Sequence, residues 1–67
     1  MDKNFTLIKD KQPKNTEDIF GFAVLVQEND NIYELPYVVV WDEVSQQWFD
    51  NDGEPCEENI IAWCPIR

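Results

Sequence analysis

Sixty-seven residues carry 14 acids, 5 bases and no histidine, for a formal charge of -9. A chain this short buries only ~60% of the surface it exposes when unfolded, which leaves one small core and excludes a second domain or a deeply enclosed active site. Its hydrophobic content of 43% excludes a disordered acidic tail, because such tails lack the apolar area that offsets chain entropy.

The charge divides the chain. Lys3, Lys9, Lys11 and Lys14 make residues 1–14 a mildly basic segment, opposed only by Asp2 and Asp10. From Asn15 to Ile66 there is no Lys, Arg or His, while twelve acids are present. Residues 15–66 therefore form a base-free acidic body within a single domain spanning 1–67. The start, Met1-Asp2-Lys3-Asn4, lacks the apolar run and small-residue cleavage site of a secretory signal, and no stretch approaches the ~20 apolar residues of a membrane span. A cytoplasmic location is expected.

Taken in order, the elements read as strands. Phe5 to Lys9 forms a first strand, and Gln12-Pro13-Lys14-Asn15 is a linker with turn chemistry. Phe20 to Gln27 alternates, with Phe20, Phe22, Val24 and Val26 on one face and Gly21, Ala23 and Leu25 on the other. Apolar residues on both faces predict a central strand. Glu28 to Asn31 is an all-polar link, so the next segment pairs antiparallel with this one as a hairpin. Pro36 divides that segment, because proline cannot donate to a ladder. Ile32–Leu35 is accordingly expected to be irregular or at an edge, and Tyr37–Trp41 to be the strong strand.

Asp42 to Gln46 is a polar connection before a brief strand at Gln47–Asp50, which stops at the turn signal Asn51-Asp52-Gly53. Pro55 to Asn59 is predicted as one helical turn, since proline suits a first helical position and acids favour the helix N-terminus. Asn59 to Cys64 closes the molecule as a strand with Ile60 and Ala62 on one side, Ile61 and Trp63 on the other, ended by Pro65. The fold expected is all-β, or mainly β with that one helical turn: a small antiparallel sheet of three to five strands. With two strands apolar on both faces and no helix to cover them, the sheet is expected to curl into a barrel-like meander; a second copy as cover is the alternative.

The two ends carry a resemblance. Phe5-Thr6-Leu7-Ile8-Lys9-Asp10-Lys11-Gln12-Pro13 is similar to the Trp-Ile-x-Val-x-Glu-x-Leu-Pro opening of the short phage and prophage family catalogued as domain of unknown function 551. Ile61-Ala62-Trp63-Cys64-Pro65-Ile66 resembles that family's Thr-His-Trp-Met-Pro-Leu-Pro close, with Val24-Leu25-Val26 and Asp52-Gly53 between. The likeness spans nearly the whole chain and departs from the pattern at Phe5, Gln12, Ala62 and Cys64. It implies a small, chiefly β, phage-related protein with no established activity.

Catalysis has few footholds. No histidine is present to act as a general base near neutral pH, and Ser45, the one serine, lies in a polar turn. The acids lie in loops, where solvent keeps their pKa values from being pushed apart. No enzyme activity, cofactor or metal is therefore expected. Aligning Asp50-Asn51-Asp52-Gly53 with a calcium loop puts Trp48 at the first ligand position and Asn59 at the twelfth, and neither serves. Cys56 sits among Glu54, Glu57 and Glu58, which disfavour its thiolate. Cys56 and Cys64 are expected to be unpaired, being far apart on extended chain and kept reduced in a cytosol.

Function is then sought on the surface. A base-free body repels phosphate, so direct binding of nucleic acid is not expected, whereas a basic protein surface is attracted. Among nine aromatics, Tyr33, Tyr37 and Trp48 are expected to reach the surface as contact residues flanked by Asp42, Glu43, Asp50, Asp52, Glu54, Glu57 and Glu58. The leading expectation is an acidic, non-catalytic accessory module of phage type that binds a basic protein surface. Two alternatives are a self-associating structural component, as a homodimer for instance, and a nucleic-acid mimic that inhibits a host defence protein.

Overall fold

The computed structural model describes residues 4–67. They form six strands and, among the described residues, no helix: β1 (Thr6–Leu7), β2 (Gly21–Glu28), β3 (Asn31–Glu34), β4 (Val40–Asp42), β5 (Gln47–Phe49) and β6 (Ile60–Ile66). The main sheet has the order β1-β6-β2-β3, all antiparallel, and β4 and β5 make a separate hairpin. The protein is all-β.

The alternation in β2 does what it predicts. Phe22, Val24 and Val26 are buried on one face, where they meet Leu35, Val39, Trp48 and Trp63 in a single cluster. Burying each of these side chains contributes ~1.5–3 kcal/mol before chain entropy is charged against it. Phe20 lies outside the strand and is 74% exposed. The opposite face carries the small residues Gly21, Ala23 and Ala62, which are buried, beside half-buried Leu25 and Cys64. The hairpin β4–β5 and the 8–19 segment cover the core face. Ile8, Ile19 and Trp41 pack on the cluster, Pro13 is buried, and the Trp63 indole donates from Nε1 to the Lys11 carbonyl at 2.9 Å.

Several expectations are corrected. The sheet does not close into a barrel. After β3 the chain bulges at Pro36–Val38, rejoins β2 at a single bridge between Val39 and Phe22, and then leaves to pair with β5. β1 and β3 remain as edges. β3, at Asn31–Glu34, is an edge strand, as expected of that segment, while Tyr37 and Val38, expected in the strong strand, are not in a strand. The ladder gives the reason. Leu35 N–H donates to Val24 and Val39 N–H to Phe22, so two steps along β2 are matched by four along its partner, and two residues are looped out where proline could not have donated.

The helical turn at Pro55–Asn59 is absent. Pro55 bridges Phe49 instead, and Cys56 N–H donates to the Trp48 carbonyl at 2.8 Å, drawing the segment along β5. Pro65 does not end the last strand, which runs to Ile66. Its partner Phe22 exchanges both backbone bonds with Val39, at 2.8 and 3.1 Å, so β2 requires no donor from Pro65. A bulge also reassigns the faces of β6. Leu25 pairs with Ala62 but Val26 with Ile60, so Ile61 is the extra residue and Ile60 joins Trp63 on the core side.

Candidate functional site

Two tyrosines reach the surface, Tyr33 on β3 at 39% exposure and Tyr37 in the bulge at 41%. Tyr33 pairs with Val26 across the ladder, so its ring stands on the core side of the sheet edge and its hydroxyl passes beyond it, 3.5 Å from Glu28 Oε2. Tyr37 is held by the backbone that loops out after Pro36 and faces Cys56 and Asp50. Desolvation raises the phenol pKa of each above 10.0. For Tyr33 the charges of Glu58 and Glu28 add to it; for Tyr37 the Cys56 sulfur, Glu58 and Asp50 do so. Glu58 therefore lies within electrostatic reach of both rings, and Asp50 and Asp52 line a cleft with Tyr37. The result is a patch of two phenols framed by Glu28, Asp50, Asp52 and Glu58.

That shared field has a direct readout. Glu58→Gln removes one negative charge facing both phenols, so both tyrosines are expected to ionise at lower pH, measured by absorbance at alkaline pH. No downward movement, or movement of one tyrosine alone, would show that the acid does not bridge them. The sign is fixed by the raised values: the fold holds these protons more firmly than the unfolded chain, so it loses stability as pH climbs through 10.0.

Other predicted contact residues lie elsewhere. Trp48 is 8% exposed and belongs to the core, stacked edge-on with Phe22 at 5.5 Å and tilted against Trp41 at 4.9 Å. Its neighbours on the opposite face of β5 are less buried, Gln47 being exposed and Phe49 half-buried. Asp42 turns its carboxylate onto its own loop, accepting from Val44 N–H at 3.0 Å and the Ser45 hydroxyl at 2.9 Å. Those bonds hold its pKa below 3.8, the Ser45 bond foremost. Glu43 accepts from Asn15 N–H at 3.0 Å and so fastens the N-terminal linker to the hairpin, where Asn15 also donates to the Trp41 carbonyl at 2.7 Å. Glu54 and Glu57 are exposed.

Asp50 is both a patch member and a structural acceptor, taking the Asp52 and Glu54 N–H groups on one oxygen at 2.9 and 3.0 Å. This builds the reversal in which Gly53 adopts φ +83°. Among the described residues no group of His, Cys, Asp or Glu has an arrangement suited to a metal ion, and no helix is long and apolar enough to cross a membrane. Cys56 and Cys64 are unpaired. At the far end of the main sheet Asp18 accepts from Thr16 and pairs with Arg67 at 2.7 Å, and these bonds, Thr16 first, lower its pKa.

Glu28 was not among the predicted contacts, and its signal lay in its place beside the turn. With Asn29-Asp30 forming the reversal and Asn29 at φ 57°, Glu28 and Tyr33 fall on facing strands of one hairpin. No family model, curated protein or solved structure matches this chain.

Proposed function

We propose that this chain is a non-catalytic acidic interaction module that binds a basic surface on another protein through Tyr33 and Tyr37 framed by Glu28, Asp50, Asp52 and Glu58. The observation that carries the reading is the convergence of Glu58 with both half-exposed phenols. Amphipathic rings beside carboxylates suit Lys and Arg, whose stems lie on apolar surface while their charged heads meet acids. Acids with no base in residues 15–66 extend that attraction beyond contact and speed encounter. The resemblance of the chain ends to a phage and prophage family is consistent with an accessory role acting on a host or phage protein.

Any protein of charge -9 attracts polycations, so the test compares variants of equal charge. Glu28→Gln/Glu58→Gln and Asp10→Asn/Glu17→Gln each remove two acids. Binding of a fluorescent Lys-rich peptide is measured by anisotropy at ionic strengths of ~0.05 and ~0.5 M, either side of the screening range. The patch variant is expected to weaken binding at least tenfold at low salt and the remote variant about twofold, both effects fading at high salt. Equal losses in the two variants, or binding indifferent to salt, would remove the patch from the account.

A further inference from the structure

Tyr37 is a wall shared by two different concavities. On one side is the acidic cleft with Asp50, Asn51 and Asp52. On the other is a groove of about 220 Å³ whose walls Ala23, Leu35, Pro36, Val38 and Ile66 are apolar and whose one charged wall is Glu34. The groove exists because the bulge lifts Pro36–Val38 beside a part of the sheet made of small residues, leaving Ala23 as floor. A space of this size falls below the ~300–1,000 Å³ of small-molecule sites and fits one apolar side chain.

We infer that groove and cleft together take a short extended segment of a partner protein in which an apolar side chain is followed, one or two residues on, by Lys or Arg. This rests on the proposed basic-surface reading and adds an anchor to it. The occupant follows from charge complementarity. The chain carries -9, with no base between Asn15 and Ile66, so a second copy would bring carboxylates against carboxylates, and an anionic membrane would be repelled likewise. Neighbouring clefts on either side of one ring match successive side chains at ~3.3 Å per residue of extended chain. An apolar anchor filling a groove beside a charged contact is a recurrent source of peptide specificity.

Three dye-labelled peptides in a Gly/Ser background test this on the full chain: one with Leu and Arg, one with Ser for Leu, one with Glu for Arg. The Leu-Arg peptide is expected to bind at least tenfold more tightly than the Ser-Arg peptide, and the Leu-Glu peptide not to bind. The Leu advantage is expected to survive raised salt. Ile66→Ala is expected to abolish the preference for Leu, and Asp52→Asn, in an exposed turn, to reduce the preference for Arg while keeping that for Leu. Equal binding of the Leu-Arg and Ser-Arg peptides overturns the groove and leaves the acidic patch standing. Failure of both basic peptides removes the two readings together. Equal binding of the Leu-Glu peptide, or a sedimenting dimer that masks the groove, also overturns the inference.

Discussion

Replacing Phe22 by alanine is expected to remove from about a third to all of the stability of the fold at 25 °C. Phe22 is fully buried, stands edge-on to Trp48 at 5.5 Å and to Trp63 at 5.8 Å, and its backbone joins β2 to Val39. Removal of a buried Phe costs about 3–5 kcal/mol, while a chain of this length has roughly 3–10 kcal/mol in total. The ring is thus worth much of the fold. Tryptophan fluorescence during urea unfolding would read the change, since two of the three indoles touch this ring. Phe22→Leu, which keeps apolar volume, is expected to lose less than half as much. A loss under ~1 kcal/mol for Phe22→Ala would mean that the cluster collapses to fill the space.

Gly21→Ala is expected to be the second most damaging change, although it adds a single methyl to a strand. A Cβ at Gly21 would lie 2.3 Å from Val38 Cγ1 and 3.2 Å from the Val39 carbonyl oxygen. The first contact cannot stand, and Val38 is β-branched and stiff at χ1, so the bulge itself must move. A cost of about 1–3 kcal/mol is expected for such overpacking. Val38→Ala removes the methyl group in the way, so the double variant is expected to be more stable than the two single losses predict, by at least ~0.5 kcal/mol in urea midpoints. Strict additivity would show that the strain falls elsewhere. The same glycine explains why the bulge packs so closely against β2.

The parts of the fold legible in the sequence were those governed by period and by turn residues. Phe22, Val24 and Val26 announce a core face because side chains alternate along a strand, and Asn29-Asp30 and Asn51-Asp52-Gly53 announce reversals because those residues tolerate left-handed backbone. The failures share one cause, which is that ladder bonds are settled by the partner strand. Pro65 reads as a stop until Phe22 is seen to spend its bonds on Val39. Val38-Val39-Val40 has strong strand propensity, yet the bulge at Pro36 leaves Val38 outside. Ile60 and Ile61 look like opposite faces of a regular strand until a bulge slips the register. The turn at Gln46, with φ 56°, had no glycine or asparagine to mark it.

The candidate site was legible in composition and illegible in assembly. Tyr33, Tyr37, Asp50, Asp52 and Glu58 come together, but what joins them is the β2–β3 hairpin meeting the 50–58 loop, a long-range contact with no local signal. Trp48 was misplaced because a three-residue strand gives too short a period to tell its inner face from its outer. Asp42 and Glu43 are drawn away by backbone N–H groups of their own turn and of the N-terminal linker.

The position of β6 in the main sheet has a consequence for biosynthesis. It lies between β1 and β2 and pairs with both, so β1 cannot be joined to the β2–β3 hairpin until residues 60–66 have left the ribosome. At ~5–20 residues per second, the β2–β3 hairpin waits with Phe22, Val24 and Val26 bare to solvent or to any chaperone at the exit port. Mutual repulsion among its acids, Glu28, Asp30 and Glu34, then works against neighbouring copies on a polysome sticking together.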